Sequence, residues 1–433
     1  MPLIDQTKFV EDALNDYHRL PEEGDSLYVR RFAPIDISIE GYGSAGPDGK
    51  DEKVRRFYDE LHARTGLKFD ATVWEDGWTA CHNPALSLAK FGDEGYGRAL
   101  SGKLFRSGED KYVALLHGTA RQALMIDVKD GMAVDLKVLF AVVGGSLPVQ
   151  VFINLGKDAK LNLFEWHASN CTRPCFSGTV REVKLGEGAT CEISVLHNEN
   201  SNTTVLEHTK GTAGEGASST INFVYTGGSA VRARNSLEAS GRGSRVRVGE
   251  LAVSSKRQKF DLNTYVVNAA GGSEVRLSSA AVAMQESVCY LKGFARITNG
   301  SRDARSFVEE RGLLVDGTAK INSIPSMAIG ENAVKATHSS AMGPIDQDSM
   351  FYLMSRGVSP EAAKRLMVLG FFSGPISGIR SSLVKEVVSS VISGKIRSNG
   401  EFGELPVLNA ENVIWESGRE TGMEHHYKYR TEK

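Results

Sequence analysis

A short pattern that recurs through the middle of the chain decides the fold. It begins as Asp158-Ala-Lys-Leu-Asn-Leu-Phe164 and returns as Gly188-Ala-Thr-Cys-Glu-Ile-Ser-Val195 and Gly216-Ala-Ser-Ser-Thr-Ile-Asn-Phe223. Two further copies are Gly243-Ser-Arg-Val-Arg-Val-Gly249 and Gly271-Gly-Ser-Glu-Val-Arg-Leu-Ser278. The small residue after each turn serves as an anchor, and successive anchors lie 30, 28, 27 and 29 residues apart. Self-similarity at a nearly fixed period indicates a repeat architecture.

The second and fourth positions after each anchor are mostly apolar, and the position between them is mostly polar. The second positions are Leu161, Cys191, Ser219, Val246 and Val275, and the fourth are Leu163, Ile193, Ile221, Val248 and Leu277. Successive side chains of a strand point to opposite faces, so this alternation predicts one β-strand per repeat. A sandwich would show strands every roughly 8 to 12 residues without long-range self-similarity. The pattern therefore predicts a β-solenoid, whose stacked coils bury the apolar columns.

Other side chains also recur at corresponding places in successive coils. Arg247 and Arg276 are predicted to lie one above the other on the outside, with Glu274 close enough to offset their repulsion. His167 and His197 occupy matching parts of neighbouring coils, which favours a stacked pair on the surface. Cys191 belongs to an inward column and is expected to be a small buried hydrophobe.

The distribution of proline and glycine divides the chain into three regions. No proline occurs between Pro174 and Pro325, and 45 of the 433 residues are glycine. Because proline removes a backbone donor, a long stretch without it is typical of continuous strand pairing. We therefore predict a mainly β protein with a mixed, partly helical region at 1–100, the solenoid at 101–344 and a helical region at 345–433.

Helix signals flank the repeat region on both sides. Residues 4–20 and 51–66 have helical periodicity. In the last region Asp346 is a good N-cap, Ser359-Pro360 opens a second helix that Gly370 is expected to end, and residues 376–394 predict a third. The helices over 346–370 and 376–394 carry more apolar surface than a terminal cap needs, which predicts a docking surface for a partner. The residues concerned are Met350, Leu353, Met354, Leu366 and Met367.

Composition excludes several classes of protein. Lys plus Arg total 51 and Asp plus Glu total 53, so a net charge of −2 provides no overall basic field for nucleic acid. No apolar run approaches the roughly 18 to 20 residues of a membrane helix. The first residues lack the pattern of a signal peptide. We expect a cytoplasmic protein with no nucleic-acid or membrane partner.

Motifs for catalysis or cofactor binding are weak. Gly97-Arg-Ala-Leu-Ser-Gly102-Lys103-Leu104 has the spacing of a phosphate loop, but Leu104 stands where Ser or Thr would ligate Mg²⁺. We therefore expect this chain to bind no nucleotide. Cys171 and Cys175 supply at most two metal ligands, and Cys289 fits strand packing better, so all three are weak metal candidates. No Ser-His-Asp order, HExxH motif or carboxylate pair emerges, and the sequence does not predict an enzyme.

The C-terminal third resembles a known family. The segments Glu310-Arg-Gly-Leu-Leu-Val315, Ala333-Val-Lys-Ala-Thr-His338-Ser-Ser-Ala-Met-Gly343 and Phe351-Tyr-Leu-Met-Ser-Arg-Gly357 resemble the SufB/SufD family of iron–sulfur cluster assembly proteins. The resemblance implies a right-handed parallel β-helix between helical ends, in agreement with the repeat. It also implies a cytosolic complex with the SufC ABC ATPase, docked through the C-terminal helices. Family members pair through their β-helices as SufB–SufD heterodimers or as homodimers, so a second copy or a SufB-type paralogue is the expected dimer partner.

The resemblance also assigns a functional residue. His338 stands where the family has its histidine at the dimer seam, which implies a ligand or transfer role toward a transient iron–sulfur cluster. Two positions depart from the SufB-type pattern, because Ala319 fills the place of a cysteine and Ser339 that of a glutamate. Both departures remove ligands, so the chain looks SufD-like or like a divergent archaeal-type member.

The expected function is that of a non-enzymatic scaffold subunit in iron–sulfur cluster assembly. One alternative is a β-helix enzyme acting on polysaccharide, which would need clustered acidic residues in an exposed groove. Another is a structural adaptor of an ABC ATPase that binds no iron. Anaerobic reconstitution followed by visible absorption separates the scaffold from the adaptor.

Overall fold

The computed structural model describes residues 5–20, 50–101, 104–105, 107–401, 403, 405–406 and 408. Within this part, the chain forms a parallel β-solenoid of about eight turns with helices at both ends. The predicted fold class is therefore confirmed. The helices are α1 (Gln6–Arg19), α2 (Lys50–Thr65), α3 (Glu94–Ser101), α4 (Lys111–Thr119), α5 (Gln347–Ser355), α6 (Pro360–Ser377) and α7 (Ser382–Arg397).

The solenoid strands lie in two sheets that face each other. The first sheet follows the order β2 (Gly77–Ala80), β1 (Ala71–Trp74), β5 (Ala133–Val142), β7 (Lys160–Ser169), β9 (Thr190–Asn198), β11 (Ser218–Tyr225), β13 (Arg245–Ser254), β15 (Glu274–Ala283), β17 (Arg305–Leu314) and β20 (Lys335–Pro344). The second sheet follows the order β18 (Lys320–Ser323), β16 (Val288–Ile297), β14 (Lys259–Asn268), β12 (Ala230–Ala239), β10 (Thr203–Ala213), β8 (Cys175–Leu185), β6 (Ser146–Leu155), β4 (Gln122–Val128) and β3 (Leu86–Lys90), with β19 (Ser326–Ile329) also pairing with β16. Each coil contributes one strand to each sheet, and neighbouring coils pair in parallel.

The first strands of the chain belong to the solenoid as well. β1 pairs in parallel with β5, whereas β2 and β3 pair antiparallel with β1 and β4. The predicted domain boundaries at residues 100 and 344 stay a prediction. The early strands β1, β2 and β3 precede residue 100 and extend both sheets, and β20 ends at Pro344.

The predicted inward columns form the core between the two sheets. Val246 pairs in register with Ser219 and Val275, and all three side chains are at most 4% exposed. The anchors are buried too, which explains why each is Ala or Ser. The residue before the anchor has a positive φ, 66° at Gly188 and 65° at Gly216, and this conformation favours glycine at the corner. Burying one such valine contributes about 1.5–3 kcal/mol to folding, so the ladder as a whole dominates stability.

The outward arginine stack is also confirmed. Arg247 and Arg276 lie opposite each other on β13 and β15. Glu274 accepts a hydrogen bond from Arg247 at 3.2 Å, and the Arg276 guanidinium lies 4.6 Å from the centre of the Phe307 ring. Each cation thus has a partner that offsets the repulsion between them.

The second C-terminal helix is longer than predicted. The Ser359 cap is present, but α6 continues through Gly370, where we expected its end, to Ser377. Its buried residues Val368 and Phe372 pack against the outer face of the first sheet. That burial outweighs the roughly 1 kcal/mol that glycine costs inside a helix.

The third C-terminal helix is shifted relative to the prediction of 376–394. α7 begins after the Ser381 N-cap and passes Gly394 to end at Arg397. Lys395 explains the extension, because its buried Nζ donates to the backbone oxygen of Thr226 and to Oε1 of Gln258, both at 2.6 Å. These bonds tie the last turn of the helix to the corners of two coils.

Candidate functional site at the last coil

Among the described residues, none covers the interior face of the last coil completely. β20 is the final strand of its sheet and, among the described strands, pairs only with β17. Side chains of β20 are mostly exposed, whereas their partners on β17 that point inward are buried. Inward-facing residues of this coil are therefore presented to the surroundings on a rigid strand.

His338 occupies the end of an aliphatic column. It lies in register with Val308, which is fully buried. The earlier members of that column are Leu163, Ile193, Ile221, Val248 and Leu277. His338 is exposed, and its ring has no hydrogen-bond partner among the described residues. An imidazole that no internal contact requires is free to bind a metal or a partner.

A hydrogen-bonded chain reaches the same surface from inside the solenoid. The carboxylate of Glu310, which is fully buried, accepts the backbone N–H of Gly293 at 2.6 Å and the hydroxyl of Ser323. The Ser323 hydroxyl lies 2.7 Å from that of Ser340, two residues after His338. Burial raises the pKa of Glu310 to about 7, which lets this carboxyl give or take a proton near neutral pH.

The sequence prediction missed Glu310 and Ser340 as members of the site. They lie 30 residues apart, the spacing of the first two anchors, and they pair in register on β17 and β20. Extending the repeat beyond residue 300 would have found them. Ala319 is 7% exposed, and Ser339 lies opposite Glu309. Because their side chains are a methyl group and a hydroxyl, neither adds a thiolate or a carboxylate at this end of the solenoid.

The cysteine candidates lie on earlier coils than His338. Cys171 and Cys175 form a disulfide at the corner between β7 and β8, so only the reduced pair would offer thiolates to a metal. Cys289 is fully buried in the core, and burial raises the pKa of its thiol. Cys191 is buried as predicted, and burial raises its pKa to about 11. The role of Cys171, Cys175 and Cys289 as metal ligands stays a prediction.

The two histidines at matching coil positions are stacked, but not on the surface. His167 and His197 have ring centroids 4.5 Å apart inside the solenoid, where both side chains are 1% exposed. The expectation of a surface pair was wrong because the strand alternation continues inward at positions that carry polar residues. A third residue, Glu199, is buried beside them.

The C-terminal helices present an apolar surface that differs in part from the prediction. Met350 is buried against Ile345 and Ala363, so it is not available to a partner. Leu353 and Met367 are partly buried, whereas Met354 and Leu366 are exposed. The largest exposed residues are Phe351 and Tyr352, with exposed fractions of 74% and 56%. The sequence prediction missed them because they lie outside the apolar stripe that includes Met350.

The possible phosphate loop lies only partly in the described residues. Gly97 lies inside α3, and Gly102 and Lys103 fall outside the described part of the chain. None of the helices in the described part is long and apolar enough to cross a membrane.

Comparison with known proteins identifies the family of the solenoid. Residues 143–371 match the SUF system FeS cluster assembly, SufBD core domain. Iron-sulfur cluster assembly protein SufD of Bacillus subtilis is 25% identical over 221 residues, 50% of each chain, and SufD of Escherichia coli is 21% identical over 244 residues, 56% of this chain and 58% of its own. A SufBD family protein of Pyrococcus horikoshii is 25% identical over 305 residues, 67% of each chain. The match to Bacillus subtilis SufD spans about half of that protein's length. The matched domain covers more than half of this sequence and includes both His338 and Glu310, and the chain belongs to the SufBD family of the SUF iron–sulfur cluster assembly system.

Proposed function

We propose that the chain is a scaffold subunit on which the SUF system assembles iron–sulfur clusters. The observation that carries this proposal is the exposed His338 at the end of an otherwise aliphatic interior column. The names of the relatives support the pathway, since they are iron–sulfur cluster assembly proteins. We assign no catalysis to the chain itself, and its cytoplasmic location stays part of the proposal.

The nascent cluster is the cargo of this site. A neutral imidazole is a competent iron ligand, and iron–sulfur clusters otherwise take thiolates. Ala319 and Ser339 offer no such ligand at the last coil. We therefore infer that His338 holds the cluster together with ligands from a second subunit.

The edge of the last coil is suited to pairing with that subunit. One edge of β20 pairs with β17, and among the described strands no other strand covers the opposite edge. Unpaired backbone N–H and C=O groups on a sheet edge are a template for adding a strand. A second copy or a SufB-type paralogue placed there would bring its own ligands within reach of His338.

The exposed residues of α5 and α6 are the proposed docking surface for a SufC-type ABC ATPase. Phe351 and Tyr352 project from α5 beside Met354, and Leu366 projects from α6. Large exposed aromatic and aliphatic side chains grouped on one surface indicate an interaction site. The chain itself would contribute no nucleotide site.

Anaerobic reconstitution of the ATPase-containing complex tests the scaffold proposal. Iron and sulfide are measured on the complex with the wild-type chain, with His338→Ala, and with His82→Ala, an exposed histidine outside the last coil that serves as the matched control. We expect His338→Ala to lower bound iron while leaving the melting temperature within the range of a surface substitution. His82→Ala should change neither quantity.

Two results would contradict the proposal in different ways. If the wild-type complex binds the ATPase but never takes up iron or sulfide, the chain is an adaptor. If His338→Ala keeps full iron content but melts at a clearly lower temperature, the histidine is structural. The measurement is made on the chain alone and with a SufB-type partner co-expressed, because the ligand set is shared in this proposal.

A further inference from the structure

We propose that His167, His197 and Glu199 form a buried site for a divalent transition-metal cation such as Zn²⁺ inside the solenoid. Each residue offers one ligand atom, and these atoms all lie within 4.8 Å of one another. The residues come from neighbouring coils, His167 from β7 and His197 from β9, with Glu199 directly after β9. The site is separate from the last coil and from the proposed cluster chemistry.

The hydrogen bonds of the two imidazoles have the arrangement seen in metal-bound histidines. Nε2 of His167 lies 3.3 Å from Glu165, and Nε2 of His197 lies 3.3 Å from Glu207. A carboxylate that accepts one ring N–H fixes the tautomer and leaves the other nitrogen as a ligand. On both rings the nitrogen left is Nδ1, and Nδ1 of His197 lies 2.9 Å from Glu199.

One arginine holds both orienting carboxylates in place. Nε of Arg181 donates to Glu165 at 3.1 Å, and its two terminal nitrogens donate to Glu165 and to Glu207. The Thr209 hydroxyl donates to Glu207 at 2.6 Å. Every one of these partners is fully buried. The shell around the two imidazoles is therefore preorganised, which is what a metal site requires.

The formal charges of the cluster sum to a net negative charge that a divalent cation would balance. Glu165, Glu199 and Glu207 carry three negative charges against the single positive charge of Arg181. The cluster charge is therefore −2 with neutral imidazoles, and −1 when His197, whose two ring nitrogens both face carboxylates, is protonated. An uncompensated charge inside a protein is costly. One divalent cation bound to neutral imidazoles restores neutrality, and it replaces any proton that His197 carries without the metal.

Glu199 supplies an independent indication of a missing partner. One of its oxygens, Oε1, faces His197, but Oε2 is buried and has no hydrogen-bond partner among the described residues. Buried carboxylate oxygens are normally satisfied, so an orphaned one beside two imidazoles points to a ligand. Two imidazoles and one carboxylate are a ligand set that proteins use for Zn²⁺. Bonds of about 2.0–2.2 Å require the three ligand atoms to move closer together on binding.

Metal retention in the full-length, untagged chain tests this site. Because the site is buried, the protein is unfolded with a chelator, refolded with or without zinc sulfate, dialysed and analysed for zinc. We expect about one zinc ion per wild-type chain and at least a roughly tenfold loss in Glu199→Gln, whose amide is a poor ligand. His208→Gln is the matched control, since His208 is equally buried but faces Asp110 outside the cluster.

Two further measurements keep the test decisive if a variant folds poorly. Refolding wild type with Co²⁺ should give the visible absorption bands of a protein-bound, low-symmetry ion, and zinc should raise the melting temperature of wild type but not of Glu199→Gln. The Cys171→Ser/Cys175→Ser chain should retain zinc as wild type does. Wild type that holds no more zinc than Glu199→Gln, or a Co²⁺ spectrum of the hydrated ion only, would show that the excess charge is balanced by protons. Loss of zinc in the cysteine variant would move the site to the thiols.

Discussion

Replacing Glu310 with glutamine should change the pH dependence of stability in a defined direction. Glu310 is fully buried and accepts hydrogen bonds from Gly293 and Ser323. Glutamine has the same shape, and its amide oxygen can still accept the Gly293 N–H. The Ser323 hydroxyl can rotate to accept from the amide nitrogen. The substitution therefore removes a titrating group with little change in packing.

The expected magnitude follows from the pKa of the carboxyl. Burial raises it from 4.5 to about 7 in the folded chain. A carboxyl with a raised pKa binds its proton more tightly in the folded state, so stability falls as the pH rises from about 4.5 to about 7. At about 1.4 kcal/mol per pH unit, the wild type loses about 3 kcal/mol across this window. Glu310→Gln should not show that loss.

Denaturant unfolding at pH 5 and pH 8 measures this effect as a difference between the two chains. We expect the difference in unfolding free energy, variant minus wild type, to rise by about 2.5 kcal/mol between these pH values. The contributions of other titrating groups largely cancel in that difference, since both chains carry them. Equal differences at both pH values would refute the idea that Glu310 is protonated near neutrality, and with it the proton exchange near His338.

Three other substitutions test separate parts of the structure. Val246→Asp should lower the unfolding free energy by several kcal/mol, because it buries a carboxyl in the ladder. The control Val246→Thr should lower it far less. An unchanged melting temperature of Val246→Asp would show that Val246 does not face the interior. Phe351→Ser should reduce co-purification of a SufC-type ATPase while the chain stays folded, since this side chain is 74% exposed; undiminished recovery of the ATPase would place the docking surface elsewhere. Replacing both Cys171 and Cys175 with serine should lower stability by about 2 kcal/mol under oxidising conditions, the chain-entropy estimate for so short a loop, and by nothing when reductant is present; melting curves with and without reductant that coincide for the wild type would show that the pair is not oxidised in solution.

Point substitutions are the right test of docking because the C-terminal helices also belong to the core. Val368, Phe372 and Ile379 are buried in a cluster with Trp166 and Leu251 on the outer face of the first sheet. A chain that ended near residue 343 would expose this face to water. The loss of a partner would then report unfolding as much as the loss of a docking surface.

The sequence predicted the fold correctly in the coils where the inward side chains are apolar and the outward ones are polar. In coils with Leu161, Val246 or Leu277 facing inward, alternation of apolar and polar residues reveals both the strand and its buried face. The spacing of anchors shows the coil length without any knowledge of the second sheet. Helix ends were less accurate, since Gly370 and Gly394 have the local signal of a stop but lie in helices held by tertiary packing.

The candidate site could be predicted only in part because its interior residues are polar. His338 was found by family resemblance and not by its position in the repeat. Glu310 was missed because the copies of the repeat were followed only to Ser278. His167 and His197 were expected on the surface, although the register of β7 and β9 continues their column inward. A buried polar ladder gives no hydrophobic signal, so only the period can reveal it.

The order of residues along one interior column explains how a solenoid can tolerate buried carboxyls. In register, the column that ends at Ser340 reads Val138, Glu165, Val195, Phe223, Glu250, Ser279, Glu310 and Ser340. Neighbouring coils are about 4.8 Å apart, and two carboxylates stacked at that distance would repel strongly. Here an apolar or hydroxyl residue always separates them. Each carboxyl is instead stabilised by hydrogen bonds from nearby groups. Glu165 pairs with Arg181, Glu250 accepts hydrogen bonds from Thr264 and Ser279, and Glu310 accepts them from Gly293 and Ser323. The last of these lies one coil from the exposed strand, where hydrogen bonds through Ser323 connect it to Ser340 on the strand that carries His338.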